Sequence, residues 1–204
     1  MKKDEAVKII VECAKEYSKN LINLNLLFVF EGAEESNHIE TIFLPQNFMH
    51  LTGVAPRDRL SSSVAFYNAC VGGKLTPAFF DMNHDGTTRI KLSILFQVMN
   101  IHKVARMVGD FNGNNLKLNT EKILGNVHAC MGFVCAQQHQ GLFVPNTALR
   151  EDIRDVSEKP TRKILAILRK PKDAKMYSEC TYIAKGISLE ELLSVGSLKL
   201  RVDI

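Results

Sequence analysis

A proline set between two differently patterned runs fixes where this chain must change conformation. In FLPQNFMHLTG, Phe43–Gly53, Pro45 follows a stretch in which Ile39, Thr41 and Phe43 alternate with Glu40, Ile42 and Leu44. That period of two predicts a strand with one packed face. After Pro45, Gln46 or Asn47 can cap a short helical turn that points Phe48 and Leu51 inward, and Gly53 can supply a left-handed exit. His50 then lies beside the buried face without belonging to it. An imidazole there suits a general acid or base, because it titrates near neutrality. It equally suits a structural histidine bonded to a backbone carbonyl.

The text around this stretch predicts the rest of the chain. Ala6, Ile9, Ile10, Cys13, Ala14, Tyr17, Leu21 and Leu24 recur at helical offsets, with Lys8, Glu12, Lys15, Glu16 and Lys19 opposite, so residues 4–24 read as an amphipathic helix laid on a core. Leu26–Phe30 is continuously apolar and pairs with the Pro45-terminated strand as an antiparallel hairpin. APRDRLSSS is a polar loop, Val64–Leu75 a helix, and LTPAFFDMNHDGTT a loop with His84 solvated at its tip. Ile90, Ile94, Val98 and Ile101 mark the inner face of the next helix, with Thr87 or Thr88 as cap. Lys91 falls near that helix start, where the dipole disfavours a cation.

Strands follow: Val104–Phe111 and Asn115–Leu118 about an Asn112-Gly113 turn, then Lys122–Leu124, Val127–Ala136 with His128 as a packed ring, and Gly141–Val144 after the QQHQG turn. A short helix runs through Ile153. Lys163–Leu168 and Tyr177–Lys185 flank a basic turn, and a closing helix spans Ser188 to about Val195.

Several motifs agree with one family. FLPQNFMHLTGV, Phe66-Tyr67, TRIKLSIL, GFVCAQQHQGLFVPN, ILAILRK and TYIAK together resemble the phage-borne barnase/EndoU/colicin/RelE-like nucleases of the fourth type, from about Asn20 to Lys185. The resemblance implies an α+β fold, with N-terminal helices packed on a mainly antiparallel twisted sheet, a barnase/RelE-like core with elaborations. Residues 1–204 form a single domain in this view: a helix at 4–24, a core at 25–185, and a C-terminal helix and tail at 186–204. It also implies a ribonuclease of phage or mobile-element origin. His50 serves as acid or base, Thr52 and Tyr67 orient or hydrogen-bond the phosphate, and Lys91 stabilises the transition state together with Lys170 or Lys185. From residues alone, Tyr67 is equally a half-buried ring.

Composition limits the chemistry. No Walker loop, dinucleotide glycine fingerprint, HExxH, GxSxG elbow or zinc-type cysteine spacing occurs, so neither cofactor nor metal is expected. Histidine, hydroxyls and cations remain, the inventory of metal-independent RNA cleavage. A net charge of +4 permits an anionic partner, and Lys159 to Lys175 holds seven basic residues against Asp173 alone. Lys170, Lys172, Lys175 and Lys185 can form a track for an RNA backbone, or serve solubility and edge protection. The alternative function is a non-catalytic module that holds nucleic acid or a host protein, including as an inhibitor of host defence. Five scattered cysteines, a charged N-terminus and no apolar run of membrane-spanning length predict a reduced, soluble cytoplasmic protein that engages no membrane.

Overall fold

The first helix begins where acidic residues meet the positive end of its dipole. A computed structural model describes residues 1–32, 37–57, 62–114, 118–139 and 141–194. In it α1, Lys3–Asn20, carries Asp4 and Glu5 in its first turn and Lys19 in its last, and buries Ala6, Ile10, Cys13, Ala14 and Tyr17. Strands β1, Leu24–Phe30, and β2, His38–Ile42, form the expected antiparallel hairpin. Helix α2, Pro45–Thr52, follows at once. Pro45 occupies its first turn, where a missing amide hydrogen costs nothing. Asn47 caps it from within: its Oδ1 accepts from the Leu44 amide at 3.1 Å. Gly53 leaves the helix at φ 66°.

The expected α+β arrangement is corrected by the closure of the strands. β1, β2, β8 (Leu142–Leu149), β7 (Cys130–Ala136), β6 (Lys122–Gly125), β5 (Met107–Asp110) and β9 (Arg162–Pro171) make a seven-membered ring that shuts where β1 pairs with β9. β9 makes this possible by its length. One edge runs along β1 from Leu24↔Pro171 to Phe30↔Ile164; the other is shared between β5 and β10, Glu179–Ile183. Each ring member has two neighbours, so the barrel has no free edge. Pairing around it is antiparallel except at Thr41↔Phe143, where β2 meets β8. A separate two-stranded ribbon joins β3, Val54–Pro56, to β4, Phe80–Met82, drawn from the two segments expected to be loops on either side of a helix.

One core cluster takes side chains from all seven ring strands, among them Phe28, Ile39, Val108, Leu124, Phe133, Ala148 and Ile167, which makes theirs the inner face. Helices α1, α2, α3 (Ser63–Val71), α4 (Thr87–Val98) and α5 (Ile101–Val104) contribute to the same cluster. The helices therefore plug the barrel rather than cover one face of an open sheet. Opposite-face residues gather into small separate clusters, such as Leu27, Val29, Ala166, Leu168 and Tyr177.

Local corrections follow from neighbours that the chain order hides. Ile90 is exposed, and the inner face of α4 is Thr88, Leu92, Ile94, Leu95 and Val98; its N-cap is Gly86, φ 83°. β8 runs straight through Pro145, next to a bulge of its own at Asn146 where its register with β7 shifts. The short helix there is α6, Ile153–Val156, and His128 is exposed in the turn before β7. β5 pairs with β6 rather than with the expected Asn115–Leu118 strand, most of which lies outside the described residues. Arg59 of the polar loop, Gln140 and the tail from 195 also lie outside them. The closing helix is α7, Leu189–Ser194.

Candidate functional site

The sequence HLTG builds a knot in which backbone carbonyls are taken up by side chains from α4. Thr52 is fully buried, and its hydroxyl donates to the Met49 carbonyl at 2.7 Å and accepts from the Val54 amide at 3.4 Å. The Gly53 carbonyl accepts from Asn83 Nδ2 at 3.0 Å and from Thr88 Oγ1 at 2.5 Å. Lys91 Nζ donates to the His50 carbonyl at 2.9 Å. Its stem lies across Gly53, where a Cβ would come within 2.8 Å of Lys91 Cδ, so glycine is needed here for space as well as for its positive φ.

Lys91 thus sits badly for its own helix and well for another. Unfavourable at the N-terminus of α4, the ammonium reaches the last turn of α2, whose free carbonyls attract a cation. Burial pushes its pKa below the ordinary lysine value. The His50 ring is exposed on the same turn of α2. The last turn of α2 thus carries an exposed imidazole and, on its backbone, a partly desolvated ammonium, two groups of the kind found at sites of chemistry.

The remaining sequence-predicted residues lie elsewhere. Tyr67 is buried, its ring 5.9 Å from Tyr17 and 5.8 Å from Phe48, and burial raises its phenol pKa while a hydrogen bond with Ser18 opposes the rise. Lys170 closes the β9–β10 turn, donating to the carbonyls of Ala174 at 2.9 Å and Lys175 at 3.3 Å, with its ammonium 5.0 Å from the Tyr177 ring centroid. Lys172, Lys175 and Lys185 are exposed. Lys172 lines a cleft with Asn25 and Ile42, and His50 is not among the walls of that cleft.

Sequence patterns did not mark a second cavity, of about 360 Å³, beside the knot. Lys3, Asp81, Asn83, His84 and Arg89 line it, and Asn83 is the residue that bonds the Gly53 carbonyl. Lys3 and Arg57 both pair with Asp81 and hold its carboxyl below the usual range. Arg89 forms no ion pair among the described residues, which leaves the cavity cationic. His84 stood in a segment with turn signals only and Arg89 at the start of the following helix, so no pattern joined them; the β3–β4 ribbon brings the His84 loop back beside Gly53.

All five cysteines are free. Burial pushes the thiols of Cys13, Cys70 and Cys130 up to about 12, so they are inert packing groups. No helix among the described residues is long and apolar enough to cross a membrane.

Residues 9–186 match the family model described as phage-Barnase-EndoU-ColicinE5/D-RelE like nuclease4. No curated protein and no solved structure matches the chain. Because the match runs from α1 to just beyond β10, and so takes in the α2–α4 knot and the whole ring, the chain belongs to this family of phage-type, nuclease-like domains.

Proposed function

We propose that this domain is a metal-independent ribonuclease acting at the junction of α2 and α4. The observation that carries the reading is the exposed His50 imidazole on the same helical turn as the Lys91 ammonium. In such a reaction the ribose 2′-hydroxyl attacks the adjacent phosphorus, the bond to the 5′ oxygen breaks, and a 2′,3′-cyclic phosphate is left. His50 takes the hydroxyl proton or protonates the leaving oxygen. His84, next in sequence to the Asn83 that bonds Gly53, is the candidate for the other transfer. Lys91 and Arg89 offset the charge that builds on phosphorus. Thr52 and Tyr67, both buried, shape and stiffen α2 and so act as positioning residues.

The test is incubation of RNA with the purified protein in chelator, followed by analysis of the product ends. Cyclic phosphates formed by the wild type and lost in His50→Ala support the reading; no cleavage, or equal cleavage by both, removes it. A binding-only reading draws on a different observation, the exposure of Lys172 and Lys175 on the β9–β10 turn, whose cleft His50 does not line. It expects affinity without turnover, lost on neutralising those lysines, with a steep fall in salt if the partner is nucleic acid.

A further inference from the structure

Outside the ring, the β7–β8 turn and the β9–β10 turn face each other over the start of β1 and enclose a cleft of about 250 Å³. The second turn is fixed in place by its backbone: the Lys172 amide donates to the Asn23 carbonyl at 2.8 Å. Asn25 and Ile42 are cross-strand partners and present their side chains on one face. Ile42 and Leu142 belong to one small apolar cluster, which gives the cleft an aliphatic floor. Lys172, Asp173 and His139 stand around its mouth.

Asn25 is the group that packing does not explain. It is 6% exposed, and its Oδ1 is buried without a hydrogen-bond partner. The next positions on that face of β1, Leu27 and Val29, are apolar, so the strand tolerates hydrocarbon there. An unpaired buried carboxamide is costly, and native structures keep such groups where something else supplies the partner.

The geometry points to a ribonucleotide-binding cleft. The edge of the base pairs with the Asn25 carboxamide, and one of its faces lies on the surface formed by Ile42 and Leu142. The ribose hydroxyls donate to Asp173, and the phosphate sits on Lys172 with His139 at the rim. Each nucleobase carries a donor beside an acceptor on its pairing edge, which a carboxamide matches with two hydrogen bonds. The size of the cleft suits one base, with sugar and phosphate in the open mouth. This inference extends the RNA reading to a base-holding subsite, and rests on it only for the source of the nucleotide, free or within a strand.

Calorimetric titration with the four ribonucleoside monophosphates, the matching nucleosides and short RNA trimers tests it. At least one monophosphate binds the wild type. Asn25→Leu weakens that binding about tenfold or more, as expected for the loss of a two-bond contact to a base. Lys172→Ala, a surface change, weakens the monophosphate and leaves the nucleoside unaffected, so a misfolded Asn25 variant would not block the test. Competition by the trimer assigns the site to RNA; binding without competition assigns it to free nucleotide. No binding of any monophosphate at millimolar concentration, or undiminished binding in both variants, overturns the cleft. RNA cleavage measured on the same samples separates the two proposals, since cleavage without nucleotide binding removes only this one.

Discussion

The knot behind His50 and the cleft around Asn25 treat buried polar groups in opposite ways. In the knot, the Thr52 hydroxyl and the carbonyls of Gly53 and His50 are all engaged at distances from 2.5 to 3.4 Å by groups of α2, α4 and the β3–β4 ribbon. In the cleft, one carboxamide oxygen is enclosed and left over. A satisfied network is rigid and holds one geometry, the condition for aiming an acid or base. An unsatisfied group keeps a standing cost that a ligand can relieve, the condition for binding. The two proposals, chemistry at the knot and nucleotide binding in the cleft, thus rest on opposite treatments of buried polar groups.

The contrast breaks first if His50 is not the group that the knot supports. Replacement by alanine should lower cleavage by about a hundredfold or more, the usual contribution of a positioned acid or base, and leave the melting temperature unchanged because the ring is exposed. Equal activity with an unchanged melt would turn the knot into scaffold alone.

His102 sharpens the other side of the comparison. It is fully buried, neither ring nitrogen has a hydrogen-bond partner, and burial, aided by Lys103 and Arg169 and opposed by Glu179, pushes its pKa down to about 4. The folded value lies below the unfolded one of about 6.5, so the unfolded chain binds the extra proton in the interval between them. Stability should fall as pH drops through that window, by up to about 3 kcal/mol, and be independent of this group above it. Denaturant melts at several pH values, repeated with His102→Leu, would check this: a slope that survives the substitution belongs to other groups.

Smaller effects probe the knot itself. Gly53→Ala meets both a left-handed φ of 66° and the Lys91 stem, and should cost about 2 kcal/mol in a chemical melt. Thr52→Val removes two hydrogen bonds at nearly constant volume and should cost about 1 kcal/mol. Asn25→Leu should lie at the bottom of the scale, neutral or slightly stabilising, because it discards an unpaired polar group. A loss of more than about 2 kcal/mol there would show that the carboxamide has a structural partner and erase the contrast.

Much of the local structure was legible in the text of the chain. The spacing of Ala6, Ile10, Cys13, Ala14 and Tyr17 marked the buried stripe of α1, and Pro45 and Gly53 set the ends of α2 by backbone chemistry that needs no distant partner. Lys91 was marked as a misfit at the start of α4, although the turn of α2 that it serves could not be named. Ile90 was misassigned because α4 is apolar on more than one side, and only contact decides which side is covered. The cationic cavity of His84 and Arg89 carried no pattern, since its walls are brought together by a ribbon of two short strands.

By itself the sequence determined most of the helices and longer strands, the β1–β2 hairpin, the turn that carries His50 and the family to which the domain belongs. Tertiary structure alone decided that the strands close. The pairings that do so, β1 with β9, β5 with β9 and β2 with β8, join segments far apart in the chain. Alternation along one strand reports how its two faces are covered, and continuous burial such as that of Leu26–Phe30 shows that both are covered without saying by what. A pairing partner is chosen by the energy of the assembled ring, a property of all seven strands together, and no single stretch of residues encodes it.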